Sequence, residues 1–157
     1  MTAASTAPAS TTPGGMLLPW ADADGAPFWE YAGRHELRMQ GCSACGRLRF
    51  PPRPCCPHCH SFDGEWTLMS GRGRIWSYVF PHPPLLPAYA RLAPYNAVVV
   101  ELAEDPRLRL VGNVVAIADG PLNGVPADRF RIGAPVRVCF HDMAEGVTVP
   151  RWLLEDR

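Results

Sequence analysis

Two Cys-x-x-Cys pairs, Cys42-Ser43-Ala44-Cys45 and Cys56-Pro57-His58-Cys59, stand ten residues apart in a chain of 157. Each pair forms a tight knuckle able to turn two thiolates toward one metal, and so short a linker lets the knuckles fold against each other. The spacing therefore predicts a closed tetrahedral shell of Cys42, Cys45, Cys56 and Cys59 around a structural zinc ion, that is, a zinc ribbon. Gly46 follows the first pair, where a knuckle requires a left-handed backbone. His60 holds the equivalent place after the second pair, where Gly would adopt that backbone more easily. Four thiolates leave no open coordination position, so the metal is scaffold and not catalyst.

Other uses of these cysteines fit less well. Disulfides belong to secreted chains, but Met1 is followed by Ser, Thr, Ala and Pro, without the basic start and apolar core of a signal peptide. A reducing, cytoplasmic setting is expected. A redox Cys-x-x-Cys is ordinarily single and opens a helix, whereas these pairs flank Arg-Leu-Arg-Phe-Pro-Pro. Cys55 could replace Cys56 only by stretching the second pair to Cys-x-x-x-Cys, so Cys56 is preferred. Cys139, beside Val138 and Phe140, reads as buried core.

Composition excludes several activities. The 15 basic residues are all Arg and balance 15 acidic residues. With no Lys, a Schiff-base lysine, a pyridoxal-phosphate anchor and a Walker-type phosphate loop are ruled out. Zero net charge is poorly suited to a chain whose main partner is a phosphate backbone. No apolar run approaches the roughly 18 residues of a membrane helix. No spacing joins a nucleophile, a base and an acidic partner, and His82 in particular has no carboxylate placed for it.

Along the chain, residues 1–20 read as a disordered tail rich in Ala, Ser, Thr and Pro. Residues 21–40 read as a helical lead-in, with Asp24 as the cap of a short helix carrying Phe28 and Trp29, followed by a strand from His35 to Gln40. Residues 41–62 form the ribbon. Within it Arg47, Arg49 and Arg53 make a basic cluster, either a solvated face or a seat for a phosphate-bearing cofactor.

Residues 63–157 switch to strand patterning at 65–69, 74–80, 96–102, 108–117, 136–140 and 147–153. The class expected is mainly β: a short N-terminal helix, a ribbon, then a five-to-six-stranded OB-type barrel. Trp76, Tyr78 and Phe80 are expected on one strand face. The loop from Pro81 to Pro94 carries Leu85, Leu86, Tyr89 and Leu92 on a proline-stiffened backbone, and would line an apolar groove, meet a partner or pack on its own barrel. The crossing from Asp119 to Arg131 should bury Phe130 and the adjacent Ile132.

Phe28-Trp29-Glu30, the Cys42 to Pro52 segment, Cys56-Pro57-His58-Cys59, Gly71-Arg72-Gly73 before an aromatic strand, and Arg131-Ile132-Gly133 with Pro135-Val136 together resemble the family of zinc-ribbon proteins with a carboxy-terminal OB fold. The resemblance runs from about Phe28 to Pro150. It implies a rubredoxin-like ribbon after a helical start and, as function, a non-catalytic subunit of a thiolase-superfamily enzyme acting on acyl-CoA. In that family some members bridge a thiolase and a second condensing enzyme, and others complete a thiolase-like aldolase in steroid side-chain breakdown. His60 departs from the family's usual Gly. Two other functions remain open at this level: a single-stranded nucleic-acid-binding module and a stand-alone acyl-CoA carrier or hydrolase.

Overall fold

The computed structural model describes residues 11–12 and 15–155. Most of the expected tail, residues 1–10, 13 and 14, lies outside them. Thr11 forms a single antiparallel bridge to Leu17. A first helix, α1, spans Ala26–Ala32, with Pro27 in its first turn, where the missing N–H costs nothing. Asp24 does not cap it. The N-cap is Gly25, whose own N–H donates to Asp22 Oδ1 at 2.6 Å. Phe28 is buried and meets Trp29 edge-on and Phe50 at 5.2 Å between ring centroids, so α1 closes over the core.

The ribbon is built on a three-stranded antiparallel sheet of β1 (Arg38–Cys42), β2 (Leu48–Arg49) and β3 (Gly64–Leu68), in the order β2-β1-β3. The strand expected at 65–69 does not join the barrel sheet. Instead β3 pairs with β1 along its whole length, from Arg38 opposite Leu68 to Cys42 opposite Gly64. The ribbon sheet therefore extends to residue 68.

A second sheet holds β4 (Arg72–Val79), β5 (Ala97–Leu102), β6 (Arg109–Gly112), β7 (Pro135–Ala144) and β8 (Val147–Leu154), in the order β6-β5-β4-β7-β8. It curls until its two ends meet. Val114 forms a parallel bridge with Trp152, the Trp152 N–H donates to the Asn113 carbonyl at 2.9 Å, and the Val115 N–H donates to the Trp152 carbonyl at 2.8 Å. This is the OB-type arrangement expected. Ile75, Val98, Val100, Leu102, Leu110, Val136 and Trp152 fill its interior. The strand expected from 108 to 117 stops at Gly112, where a Cβ would lie 2.9 Å from Trp152 Nε1. Beyond it Asn96, 1% exposed, holds the chain: its Nδ2 donates to the Val114 and Leu122 carbonyls and its Oδ1 accepts from the Val114 N–H. Every polar atom of that buried amide is thereby used.

Two expectations fail for local reasons. Between Ile75 and Ser77 the β4–β5 register slips by one residue, a bulge that sends Trp76 outward while Tyr78 and Phe80 turn inward onto Phe130. Trp76 is 47% exposed and is covered by the Arg109 guanidinium, 3.9 Å from its ring centroid. In the second crossing Phe130 is fully buried, but Ile132 is 73% exposed because the chain turns away at Gly133, φ +82°.

Candidate metal centre

The β1–β2 hairpin carries the first knuckle, and the loop between β2 and β3 carries the second. At the first, the Gly46 N–H donates to the Cys42 carbonyl at 2.8 Å with φ 68°; at the second, the His60 N–H donates to the Cys56 carbonyl at 2.9 Å with φ 61°. His60 thus adopts the left-handed backbone that Gly46 adopts, at a strain of about 1 kcal/mol. The four sulfurs of Cys42, Cys45, Cys56 and Cys59 lie within 4.8 Å of one another. Cys42 and Cys59 approach to 3.5 Å and Cys45 and Cys56 to 3.7 Å. A tetrahedral zinc with bonds of about 2.3 Å separates its sulfurs by about 3.8 Å, so the donor set and its size fit that ion. Cys55 is not among them.

The electrostatics favour the same conclusion. The N–H groups of Cys45 and Ala44, with the Cys59 and Cys45 sulfurs, hold the Cys42 thiol below its ordinary value despite burial. The Cys59 N–H, with the Cys45, Cys42 and Cys59 sulfurs, brings Cys56 down to about 7 against its burial. Cys59 has the Ser61 N–H to favour its thiolate, yet Cys42, burial, Cys45 and Cys56 push it up to about 12. Four adjacent sulfurs cannot all ionise without a cation between them, and zinc supplies that charge together with a rigid crosslink.

The arginine cluster divides. Arg47 and Arg53 are exposed, whereas Arg49 is 7% exposed. Gln40, which sequence reasoning passed over, organises this region: its Oε1 accepts from Arg49 Nε at 2.7 Å and from the Arg53 N–H at 2.9 Å. Its only sequence signal is its place at the end of a predicted strand. Arg49 is thus covered by Gln40 and Arg53, on the face of β2 away from Leu48 and Phe50, and lacks the exposure of its two neighbours. Cys139 is half-buried, opposite Arg151 on β8, and burial pushes its thiol up, against the pull of Arg151 and Arg137.

The Pro81 to Pro94 loop contains a second short helix, α2 (Pro87–Ala90). Tyr89 packs at 5.9 Å from Tyr95 and lines a cleft of about 810 Å³ shared with Leu17, Trp29, Phe50, Val111 and Pro150. Leu85 and Leu92 are half-buried, and Leu86 is 60% exposed. The loop thus both lines a groove on its own fold and presents a leucine outward. No helix among the described residues is long and apolar enough to cross a membrane.

Comparison with known proteins bears on both halves of the chain. Residues 29–64 match the model of the ChsH2 rubredoxin-like zinc ribbon domain, and residues 66–141 that of the ChsH2 C-terminal OB-fold domain. A chain of a solved structure described as "Ltp2-ChsH2(DUF35) aldolase" superposes with a TM-score of 0.74 at 37% identity, over 87% of this chain and 98% of that one. Among curated proteins, the "Probable enoyl-CoA hydratase alpha subunit" of Thermomonospora curvata is 39% identical over 84% of this chain and 38% of its own length. The 3-oxo-4,17-pregnadiene-20-carboxyl-CoA hydratase alpha subunit of Mycobacterium tuberculosis is 34% identical over 90% of this chain and 41% of its own length. The chain thus spans about two fifths of the length of these two curated relatives. With a four-cysteine ribbon leading into a curled five-stranded barrel, and with both domain models matched in order, this chain belongs to the ChsH2-type DUF35 family.

Proposed function

We propose that this chain is a non-catalytic accessory subunit that docks on a thiolase-superfamily acyl-CoA enzyme, a thiolase or a thiolase-like aldolase, and helps to form or stabilise its acyl-CoA site. Zinc bound by Cys42, Cys45, Cys56 and Cys59 is its scaffold. The observation that carries the reading is the likeness to the ChsH2(DUF35) chain of an aldolase, nearly all of which this chain covers. Steroid side-chain degradation is the setting, in line with the pregnadiene-carboxyl-CoA named for one relative. The exposed Arg47 and Arg53 are available to the acidic groups of an acyl-CoA, and Leu86, with Leu85, Leu92 and Tyr89 behind it, to the partner surface. A reducing, cytoplasmic compartment, in which the four thiolates stay available to the metal, belongs to this reading.

A second reading, in which the partner is an enoyl-CoA hydratase chain, is favoured by the hydratase names of the two curated relatives. One experiment separates these. The tagged full chain is purified from its native host, the bound protein is identified by mass spectrometry, and carbon-carbon cleavage and hydration of acyl-CoA substrates are assayed for each protein alone and for the pair. Cleavage that requires both proteins supports the aldolase reading, and hydration that requires both supports the second. Turnover by this chain alone, or tight salt-sensitive binding to single-stranded nucleic acid with no enzyme partner, overturns both.

A further inference from the structure

Arg49 is a buried cation held only by neutral groups. Its Nε donates to Gln40 Oε1, its Nη2 donates to the Arg53 carbonyl at 3.3 Å, and its Nη1 is buried with no hydrogen-bond partner. Among the described residues the ion pairs join His35 to Asp142, Arg38 to Glu36, Arg107 to Asp105, Arg109 to Glu101 and Arg137 to Glu155, and none includes Arg49. A guanidinium buried with no anion to face is costly. No carboxylate among the described residues pairs with it.

The register of the ribbon sheet points to a source of negative charge. Arg49 lies opposite Gln40 on β1, and Cys42 lies opposite Gly64 on β3. Residues paired across antiparallel strands share a face, as do residues two apart along one strand, so Arg49, Gln40, Cys42 and Gly64 are on one side. Arg49 Nη2 lies 3.2 Å from where a Cβ on Gly64 would stand, so the guanidinium reaches diagonally to the residue facing Cys42. Arg53, whose carbonyl receives Nη2, belongs to the short run that leads into Cys56. The guanidinium therefore sits between the strand bearing the first knuckle and the segment leading into the second. Four thiolates on one divalent ion leave an excess of negative charge at that place.

We propose that Arg49 is the buried counter-cation of the tetrathiolate zinc centre, a positioning residue that holds the metal-loaded ribbon through charge without ligating the metal. This rests on the assignment of zinc to the four cysteines. It also explains why a basic residue occupies a buried position of so short a strand.

The test is competition for zinc between a chromogenic chelator and the metal-loaded full chain, as wild type, Arg49→Met, Arg49→Lys and the exposed control Arg47→Gln. Arg49→Met should release zinc at about tenfold lower chelator concentration. Arg47→Gln should match wild type. Arg49→Lys keeps the charge but loses the planar fork that spans Gln40 and Arg53, and should recover most of the affinity. With cobalt(II) in place of zinc, the thiolate-to-metal charge-transfer band of Arg49→Met should move to longer wavelength, because removing a cation raises the energy of the sulfur lone pairs. The lysine variant keeps the test readable if the methionine variant fails to fold. Equal zinc loss in Arg49→Met and Arg49→Lys with an unmoved cobalt band would make Arg49 a hydrogen-bonding strut and overturn the proposal, as would wild-type affinity in Arg49→Met. A wild-type chain that takes up no zinc overturns the tetrathiolate assignment itself.

Discussion

The imidazole of His35 lies flat against the ring of Phe140, with ring planes 2° apart and centroids 5.2 Å apart, while its Nε2 stands 3.2 Å from Asp142 Oδ1. His35 ends the turn after α1 with φ 59°, and its N–H donates to the Ala32 carbonyl. Asp142 also accepts from Thr148 Oγ1 at 2.6 Å, which, with His35, holds its carboxyl below its ordinary range. The helical lead-in is thereby fastened to the β7–β8 hairpin of the barrel. The ribbon, which begins at once on the other side of His35, takes its position from that clasp.

This geometry sets an unusual order of stability at position 35. His35→Ala loses the ring stack, worth about 1 kcal/mol, and leaves a Cβ on a left-handed backbone. His35→Gly loses the same contacts but relieves that strain. Urea unfolding should therefore place His35→Gly above His35→Ala by up to about 1 kcal/mol, with both below wild type. The reverse order would mean that the left-handed turn is not kept in solution.

At the metal centre the adjacent cysteines make a clean comparison. Cys56→Ser removes a sulfur from the set lying within 4.8 Å and should abolish stoichiometric zinc, whereas Cys55→Ser should keep one zinc per chain. Loss of metal should unfold the ribbon, whose sheet has only the two-residue β2 on one side of β1. Elemental analysis with far-ultraviolet dichroism checks this. Zinc lost from Cys55→Ser and kept by Cys56→Ser would move the ligand assignment.

What was legible in the sequence was whatever depends on short spacing. The knuckles could be read because two thiolates three residues apart already define the turn that presents them, and the OB strands because alternation marks their buried faces. Nonlocal choices were hidden. Nothing in Gly64–Leu68 says that it pairs with Arg38–Cys42 and not with the barrel strands that follow it. The extra residue at Trp76 reverses the facing of everything after it, and alternation cannot show a bulge. The burial of Arg49 was hidden, since Gln40, which holds it, comes from another strand. The His35 clasp has no local signal, because Phe140 and Asp142 lie more than a hundred residues away.

His141 should make stability depend on pH near neutrality. Burial and then Arg151 push its pKa down, against the weaker pull of Asp119 and Asp142, and its Nδ1 is buried without a partner. The imidazole therefore takes a proton less readily in the folded chain than in the unfolded one, where it does so below about pH 6.5. With the folded value depressed, the stabilising contribution is full above that pH and is lost as the pH falls toward the folded value. Wild type should lose more stability between pH 7.5 and pH 5.5 than His141→Gln does. Comparing the two slopes cancels effects common to both proteins, such as thiol protonation. Parallel slopes would show that His141 is accessible to protons in the fold.

The Pro81 to Pro94 loop divides its side chains between two tasks, and substitution should separate them. Tyr89 faces the cleft and contacts Tyr95, so Tyr89→Ala removes contacts within this chain and should lower stability by about 1–3 kcal/mol. Leu86 is largely exposed beside the start of α2, so Leu86→Ser should leave the melting temperature within about a degree of wild type. If the loop meets the enzyme partner, Leu86 is its contact: an apolar side chain on a proline-stiffened backbone loses little freedom on docking. Leu86→Ser should then weaken assembly about tenfold or more. Thermal melts of the isolated chain and titration of the co-purified partner measure the two effects independently. Assembly unchanged by Leu86→Ser, together with an unchanged melt, would place the partner surface elsewhere on the barrel.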